Sequence, residues 1–265
     1  MKRDKNSDTL TNRETRRYTK QIMMPEIGLE GQLKLKNSNV LVIGAGGLGC
    51  PVLQYLSSAG VGKISIIDFD LVDETNLARQ TLYGSNDLGK LKSIIAKSRL
   101  EYLNPLCEYT IINRRIDDSG NLGFFRDYDL IVDATDNPET RFIINDACVY
   151  YKKPMVHGSI YRHEGMISVF NYCNGPSYRD FNPAPLSRKF RNPAPAEVGF
   201  FGILPGITGM YMANEVIKII TGAGEILSGK IFLINIFSNT FSTFELETVK
   251  QEQEVEEPAE SLVPA

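Results

Sequence analysis

A glycine-rich loop behind a short apolar run constrains the fold of this chain more than any other stretch. Residues 40–60 read VLVIGAGGLGCPVLQYLSSAG, in which Gly44, Gly46 and Gly49 have G-x-G-x-x-G spacing before a helix-like pattern. In a strand–turn–helix unit the first glycine permits the turn, the second lets a phosphate approach the backbone, and the third lets the helix pack closely on the strand. Free N–H groups at the helix start attract anions. The stretch therefore predicts a nucleotide site.

The composition is that of an ordinary globular protein. The 265 residues are 42% hydrophobic and 23% charged, which suits one large domain or two small ones, and the net charge of −3 gives no reason to expect nucleic acid. No apolar run reaches the roughly 18 residues of a membrane span, and the polar N-terminus lacks the apolar core of a secretory signal. We therefore expect a cytoplasmic protein without a membrane partner. The four cysteines form no C-x-x-C pair, which argues against disulfides and a thiolate zinc site.

Strand and helix patterns alternate along most of the chain. One or two short helices are predicted over residues 12–37, strands at 40–43, 63–68, 107–115, 128–136 and 154–160, and helices over 85–103 and 138–151. After residue 165 the pattern predicts a further strand, a helix over 198–222, and an antiparallel hairpin of residues 229–237 and 239–247. The series predicts an α/β fold, with a Rossmann-like, mostly parallel twisted sheet and an antiparallel C-terminal extension.

Acidic side chains stand where two of the predicted strands end. Asp68 lies nineteen residues beyond Gly49 and is placed to accept hydrogen bonds from a ribose. Asp133 and Asp136 end the strand at 128–136, at the carboxyl edge where open α/β sheets bind ligands. A carboxylate at this edge suits Mg²⁺, which prefers oxygen ligands and usually arrives with substrate phosphates.

The connection after the second strand is dense in functional side chains. They are Asn76, Arg79, Gln80, Lys90 and Lys92. Cations beside a phosphate loop stabilise the charge that develops when a phosphoryl group is attacked, although ordinary surface charge is the alternative.

The two histidines of the chain, His157 and His163, lie six residues apart without companion ligands. We interpret both histidines as structural or surface residues.

Seven stretches of the chain, in order, resemble one enzyme family. They are RRYTKQIMMPEIG, VLVIGAGGLGCPVLQYLSSAGVGKISIIDFDLV, TNLARQTLY, GKLKS, DATDNPETRFIINDAC, HGSIYRHEG and ILPGITG with the ANEVIKIITG that follows it. Together they cover about residues 13–247 and identify the chain as a member of the ubiquitin-activating-like superfamily, of the MoeB/ThiF/HesA type. The resemblance implies a homodimer that uses ATP and Mg²⁺ to adenylate the C-terminal glycine of a ubiquitin-like sulfur carrier ending in Gly-Gly. Pyrophosphate is released, and the carrier is MoaD-like or ThiS-like, serving molybdopterin or thiamine synthesis.

The resemblance also assigns roles to individual residues. Those implied in nucleotide binding are Gly44, Gly46, Gly47, Gly49, Asp68, Asp70, Asn76, Arg79, Gln80 and Lys92. The catalytic residues implied are Arg79, Lys92 and Asp136, the last as the Mg²⁺ ligand, together with Lys20 of the partner subunit. The step is an attack by the carrier carboxylate on the α-phosphorus, so the protein mainly neutralises charge and aligns two anions.

Three departures from the family pattern stand out. Lys20 replaces an arginine in the R-Y-x-R-Q-I motif, which keeps the charge but loses the planar bidentate fork. Residues 177–180 read SYRD where many relatives carry a zinc-binding C-x-x-C, so zinc is not expected. Pro195 stands ahead of Glu197 where relatives carry a cysteine, and proline has no nucleophile for a thioester or persulfide step.

The sequence divides into three segments. Residues 1–38 are expected to form a helical arm that contributes to the dimer, and residues 39–248 a single ATP-binding adenylation domain. Residues 249–265 are expected to be a disordered acidic tail, because residues 251–265 hold five glutamates and no base.

Other functions compete with carrier adenylation. Adenylation of a peptide, as in relatives that modify ribosomally made peptides, uses the same chemistry. An NAD-dependent dehydrogenase would explain the glycine loop and Asp68, but not TNLARQ, Lys92 and DATDN together. A non-catalytic scaffold that binds the carrier would explain Pro195 and Lys20, but the intact ATP-handling residues argue against it. The sequence leaves open which carrier and pathway the protein serves.

Overall fold

The structure, a computed structural model, describes residues 9–117, 122–183 and 199–246. Its strands are β1 (Asn39–Ile43), β2 (Lys63–Ile67), β3 (Glu108–Ile112), β4 (Leu130–Asp133), β5 (Met155–Tyr161), β6 (Glu164–Phe170), β7 (Lys230–Asn235) and β8 (Thr240–Glu245). Its α-helices are α1 (Asn12–Arg17), α2 (Thr19–Ile22), α3 (Gly28–Asn37), α4 (Gly49–Ala59), α5 (Lys92–Leu103), α6 (Pro138–Tyr150), α7 (Tyr178–Phe181) and α8 (Leu204–Thr221). Within the described ranges, no helix is long and apolar enough to cross a bilayer.

All the strands belong to one sheet in the order β3-β2-β1-β4-β5-β6-β7-β8. The pairs from β3 to β5 are parallel, whereas β5 through β8 pair antiparallel. The predicted fold class, a mostly parallel sheet with an antiparallel C-terminal extension, is therefore confirmed. Strand β1 lies in the interior of the parallel part, and the glycine loop follows it directly.

Burial explains why the parallel strands are almost wholly apolar. Apart from their first residues, β1 and β2 are buried, and every residue of β4 is buried. A parallel sheet covered on both faces needs such continuous apolar runs. One face packs against α4 and α8 through residues such as Leu53, Leu56 and Val216. The other face packs around Phe125, Ile144 and further side chains.

Two predicted helices begin later than the sequence pattern suggested. The helix predicted over 85–103 begins at Lys92, because residues 85–87 form a 3₁₀ turn and Leu91 pairs in extended conformation with Leu71. The helix predicted over 198–222 begins at Leu204. Its Pro205 fits only within a first turn, where the missing N–H is not needed. The apolar periodicity continued across both boundaries, but the pairing of Leu91 sets the start of α5 and Pro205 restricts the start of α8.

The N-terminal arm contains three helices in its described part, one more than the sequence suggested, and it is docked on the body of the protein. Tyr18 is buried, and its hydroxyl accepts a hydrogen bond of 2.9 Å from Asn104 Nδ2. Gln21 Nε2 donates to the Ala59 carbonyl at 3.0 Å. Two residues of the R-Y-x-K-Q-I motif therefore anchor the arm, while Lys20 between them is exposed.

Candidate functional site

The ends of three neighbouring strands meet at one edge of the sheet. Ile43 at the end of β1 pairs with Ile67 of β2 and with Asp133 of β4, so the segments that follow these strands leave the sheet at the same level. They surround a cavity of about 470 Å³, a volume typical of small-molecule sites. Among the predicted site residues, those that line it are Gly44, Gly46, Gly47, Asp68, Asp70, Asn76, Arg79, Gln80, Lys92 and Asp136.

The glycine loop has the close contacts that its spacing predicts. Gly44 has φ of +95°, and a Cβ there would lie 2.7 Å from the Ala134 carbonyl oxygen. A Cβ on Gly49 would lie 2.0 Å from the carbonyl oxygen of Gly44, so only glycine lets α4 begin this close to the turn. Gly49 packs against Gly44 and is not part of the cavity lining, whereas Gly46 and Gly47 line the cavity.

Asp68 is held at the cavity by backbone groups. Its Oδ2 accepts a hydrogen bond of 2.7 Å from the Ala45 N–H, and its Oδ1 accepts one of 2.9 Å from the Asp70 N–H. Burial raises the pKa of Asp68, and these two N–H groups and the nearby Lys92 offset only part of that rise. Each carboxylate oxygen keeps a second lone pair, so the oriented carboxylate fits the hydroxyls of a ribose.

Two of the predicted cationic side chains, Lys92 and Arg79, are held in place by neighbouring groups. The Lys92 side chain is only 7% exposed, and its Nζ lies 2.9 Å from Asp70 Oδ2, while the Asp70 side chain is 52% exposed. Arg79 Nη1 donates to the Thr75 carbonyl at 2.7 Å, and its guanidinium lies 5.3 Å from the centre of the Phe200 ring. Both positive charges are therefore preorganised at the cavity wall rather than spread over a surface.

Several lining residues were missed by the sequence analysis. They include Phe69, Arg114, Arg115, Asn137, Thr140, Arg141 and Phe200. Arg114 and Arg115 follow β3, so the strand-end rule that selected Asp68 would have found them once the end of β3 was known.

The cavity lining holds five cationic and three acidic side chains, and this excess of positive charge suits an anionic ligand. In addition, Gln80 Oε1 is buried without a hydrogen-bond partner among the described residues, which leaves it available to a ligand donor.

The two strand-end acids of DATDN have different surroundings. Asp136 is exposed, lines the cavity, and has no hydrogen-bond or ion-pair partner among the described residues. An oxygen ligand of this kind fits Mg²⁺, which takes one or two carboxylates and completes its shell with phosphates and water. Asp133 is instead fully buried, and its Oδ2 lies 2.8 Å from His157 Nδ1. Asp133 therefore has no access to a ligand.

Both histidines have structural surroundings, as the sequence suggested. Burial opposes the charge of Asp133, but hydrogen bonds from His157 and Thr135 outweigh it and hold the pKa of this carboxyl below its ordinary value. Burial also disfavours the charged form of His157 and therefore lowers its pKa, so the imidazole is neutral beside the charged Asp133. His163 stacks on Phe237 with a centroid distance of 4.7 Å.

Lys20 does not line this cavity in the part of the chain that the structure describes. It lies on α2, and its side chain is exposed to solvent. Within one subunit, the described residues therefore do not bring Lys20 to this cavity. Pro195 and Glu197, and the acidic segment of residues 249–265, lie outside the described residues.

The ThiF family model matches residues 18–255, which is most of the chain. The chain belongs to the ThiF family. Curated ThiF-family relatives include a probable molybdopterin-synthase adenylyltransferase of Porphyra purpurea, 43% identical over 87% of this chain, and a sulfur carrier protein adenylyltransferase of Thermus thermophilus, 42% identical over 87%. A third is the adenylyltransferase and sulfurtransferase MOCS3 of Aedes aegypti, 43% identical over 91%. The chain spans 60%, 87% and 55% of these three proteins, respectively.

Solved structures with the same fold include more distant proteins. A crystal structure of Escherichia coli MccB with ATP matches with a TM-score of 0.73 at 20% identity, covering 89% of this chain and 75% of that one. A crystal structure of PaaA matches with a TM-score of 0.75 at 22% identity, covering 93% of this chain and 77% of that one. At these identities the likeness establishes the ThiF-family fold alone.

The SYRD segment, residues 177–180, is held in place by side-chain contacts. Ser177 caps α7, and its hydroxyl donates to Asp180 Oδ2 at 2.8 Å. Arg179 makes two hydrogen bonds to Asp146 of α6, and Tyr178 is buried among aromatic rings. Among the residues the structure describes, no group of three or more histidines, cysteines or acids is arranged to hold a metal. These side chains do not fit a structural zinc, and an ion pair with aromatic packing connects α7 to α6 instead.

Proposed function

We propose that this ThiF-family chain is an adenylyltransferase that activates the C-terminal glycine of a ubiquitin-like sulfur carrier with ATP and Mg²⁺. The observation that carries the proposal is that Arg79, Lys92 and Asp136 line one cavity together with the glycine loop and Asp68. The names of the Porphyra purpurea and Thermus thermophilus relatives support the same reaction. They also favour a sulfur carrier over a ribosomally made peptide as substrate.

The proposed chemistry needs alignment and charge neutralisation. A carboxylate oxygen of the carrier's terminal glycine forms a bond to the α-phosphorus, the bond from that phosphorus to the bridging oxygen breaks, and pyrophosphate leaves with the electron pair. Arg79 and Lys92 bind the phosphate oxygens on which charge accumulates, and Asp68 orients the ribose. Asp136 would hold Mg²⁺, which would supply further positive charge to the phosphates. The cavity would hold the carrier carboxylate in line with the α-phosphate that it attacks.

This step requires no thiol on the enzyme. Burial raises the pKa of Cys50 to about 12 and that of Cys148 well above its ordinary value, so neither forms a thiolate near neutral pH. Because Pro195 also stands where the family pattern has a cysteine, we propose that this chain catalyses only the formation of the carrier adenylate and that another protein transfers sulfur. A carrier serving molybdopterin synthesis and one serving thiamine synthesis both suit this chemistry.

Pyrophosphate exchange tests the proposal. The purified protein is incubated with ATP, Mg²⁺, labelled pyrophosphate and either a carrier that ends in Gly-Gly or the same carrier without its last two residues. We expect label to enter ATP only with the intact carrier. Absence of exchange with every candidate carrier, combined with carrier binding, would indicate a scaffold. Exchange with a short peptide but not with a carrier would indicate peptide adenylation, and tight NAD binding without ATP binding would indicate a dehydrogenase.

We further propose that the arm of residues 1–38 contributes to a homodimer in which Lys20 of the partner subunit completes each site. Lys20 is exposed, and the nearby Met23, Met24 and Leu29 expose apolar surface on the same arm, as an interface would require. Lys20 of the partner subunit would then neutralise phosphate charge without a loop of the same subunit closing over the site. Lysine keeps the charge of the family's arginine but makes fewer directed hydrogen bonds.

Mixed dimers distinguish a shared site from a self-contained one. Lys20→Ala and Lys92→Ala homodimers should each be strongly impaired. After the two variants are co-expressed, half of the dimers are mixed and each contains one intact site, so exchange should return to about a quarter of the wild-type rate. If Lys20 acts within its own subunit, mixing restores nothing. Size-exclusion chromatography with light scattering checks that both variants remain dimeric.

A further inference from the structure

A buried histidine lies directly behind the turn that carries Asp136. His157 on β5 and Asp133 at the end of β4 are neighbours in register, and both are fully buried. His157 Nδ1 lies 2.8 Å from Asp133 Oδ2, and the imidazole ring is surrounded by Phe170 and Tyr178, whose centroids lie 6.0 and 5.0 Å away. Because the ionised carboxylate can only accept, the proton of the neutral imidazole is on Nδ1.

The other nitrogen of this histidine has no visible use. His157 Nε2 is buried and has no hydrogen-bond partner among the described residues. Burying an unpaired polar atom lowers stability, and an apolar side chain would fill the same aromatic pocket without that loss. The contribution specific to histidine is therefore the hydrogen bond that it donates to Asp133.

Asp133 passes this constraint to the turn of residues 134–137. Its Oδ1 accepts hydrogen bonds from the Thr135 N–H at 3.1 Å and from the Thr135 hydroxyl at 2.6 Å. Arg141 Nη2 donates to the Thr135 carbonyl at 2.9 Å, and Asn137 caps α6 through the N–H of its second residue. Both ends of the turn are thus fixed, while the Asp136 side chain between them is exposed to the cavity.

We propose that His157 is a positioning residue for the metal ligand: by holding Asp133 in one orientation, it fixes the turn of residues 134–137 and aims Asp136 at Mg²⁺. The inference rests on the proposed function, in which Asp136 is the ligand. Without the imidazole, Asp133 would lose the partner of Oδ2 in a dry interior and would turn away from Thr135. Asp136 would then sample several orientations, and the metal would bind more weakly although the carboxylate was still present.

Two substitutions at the same position separate positioning from packing. His157→Leu removes the donor, whereas His157→Asn retains an N–H close to the position of Nδ1. The matched control, Phe170→Leu, trims the same aromatic cluster but removes no hydrogen-bond donor from Asp133. Three quantities are measured: the Mg²⁺ concentration at half-maximal exchange, the KM for the carrier, and amide hydrogen exchange of the turn in the protein alone.

We expect His157→Leu to raise the half-maximal Mg²⁺ concentration at least tenfold and to accelerate hydrogen exchange of residues 134–137, with the KM for the carrier unchanged. His157→Asn should recover most of both properties, and Phe170→Leu should lower the melting temperature without altering either. If His157→Leu does not fold, Thr135→Val removes the hydroxyl that donates to Asp133 from the turn. This variant should also raise the half-maximal Mg²⁺ concentration and accelerate hydrogen exchange of the turn.

Two results would overturn different parts of this inference. If His157→Leu, or Thr135→Val in its place, shows wild-type Mg²⁺ dependence and turn protection while Asp136→Ala is inactive, His157 is a packing residue only. If Asp136→Ala is itself fully active, the assignment of Asp136 as metal ligand fails, and the role of His157 fails with it. Hydrogen exchange reports on the turn in either case, because it requires no turnover.

Discussion

Asp136→Ala is expected to lower pyrophosphate exchange by at least about a thousandfold and to leave the melting temperature nearly unchanged. The loss corresponds to about 4 kcal/mol of transition-state stabilisation, a magnitude typical of removing a metal-mediated contact to a phosphoryl group. The fold should survive because Asp136 is exposed and makes no hydrogen bond or ion pair with the described residues. Exchange of label between pyrophosphate and ATP and a thermal melt measure the two effects separately.

Glu139→Ala provides the matched control for this substitution. It removes an exposed acid from the first turn of α6, three residues beyond Asp136, and Glu139 is not part of the cavity lining. Wild-type exchange is expected from this variant. Retained activity in Asp136→Ala would refute the metal assignment, and equal loss in both variants would indicate a general effect of charge rather than a ligand.

Local sequence signals were sufficient for the order and type of most elements. Strand β1 and the glycine loop could be predicted because a buried parallel strand and a close turn each require particular residue types in adjacent positions. The start of α5 could not be predicted in the same way. The apolar periodicity reaches back beyond Leu91, but that residue pairs in extended conformation with Leu71, twenty positions earlier, and so does not join the helix.

The site was predictable where it follows from topology and not where it depends on burial. The position of Asp68 at the cavity could be predicted because carboxyl ends of parallel strands meet at one edge. Asp133 and Asp136 looked equivalent in sequence, three residues apart beside the same strand. Their difference depends on His157, which belongs to the neighbouring strand and faces the interior. Contacts between strands distant in sequence decide which acid is buried, and strand periodicity does not record them; only the resemblance of the DATDN motif singled out Asp136.

Lys92→Ala is expected to reduce the rate of exchange by about 100- to 1,000-fold, mainly through kcat. Removal of a preorganised charge that acts on a developing anion typically has an effect of this size. Lys92 is directed to the cavity from the first residue of α5, where a hydrogen bond of 2.9 Å from its N–H to the Asp70 carbonyl fixes the backbone. Its ammonium cannot withdraw into solvent, because the side chain is almost wholly enclosed.

The ion pair with Asp70 makes the substitution a clean test. Removing Lys92 leaves a carboxylate that is about half exposed, so water can solvate it and the fold should be retained. Lys97→Ala, which removes a partly exposed lysine paired with Glu101 on the same helix, is the matched control and should exchange label at the wild-type rate. A lower kcat at unchanged KM for ATP would show that Lys92 acts in the transition state. A higher KM at unchanged kcat would show that Lys92 binds the ground state and the transition state equally, because an interaction equally strong in both states does not change kcat.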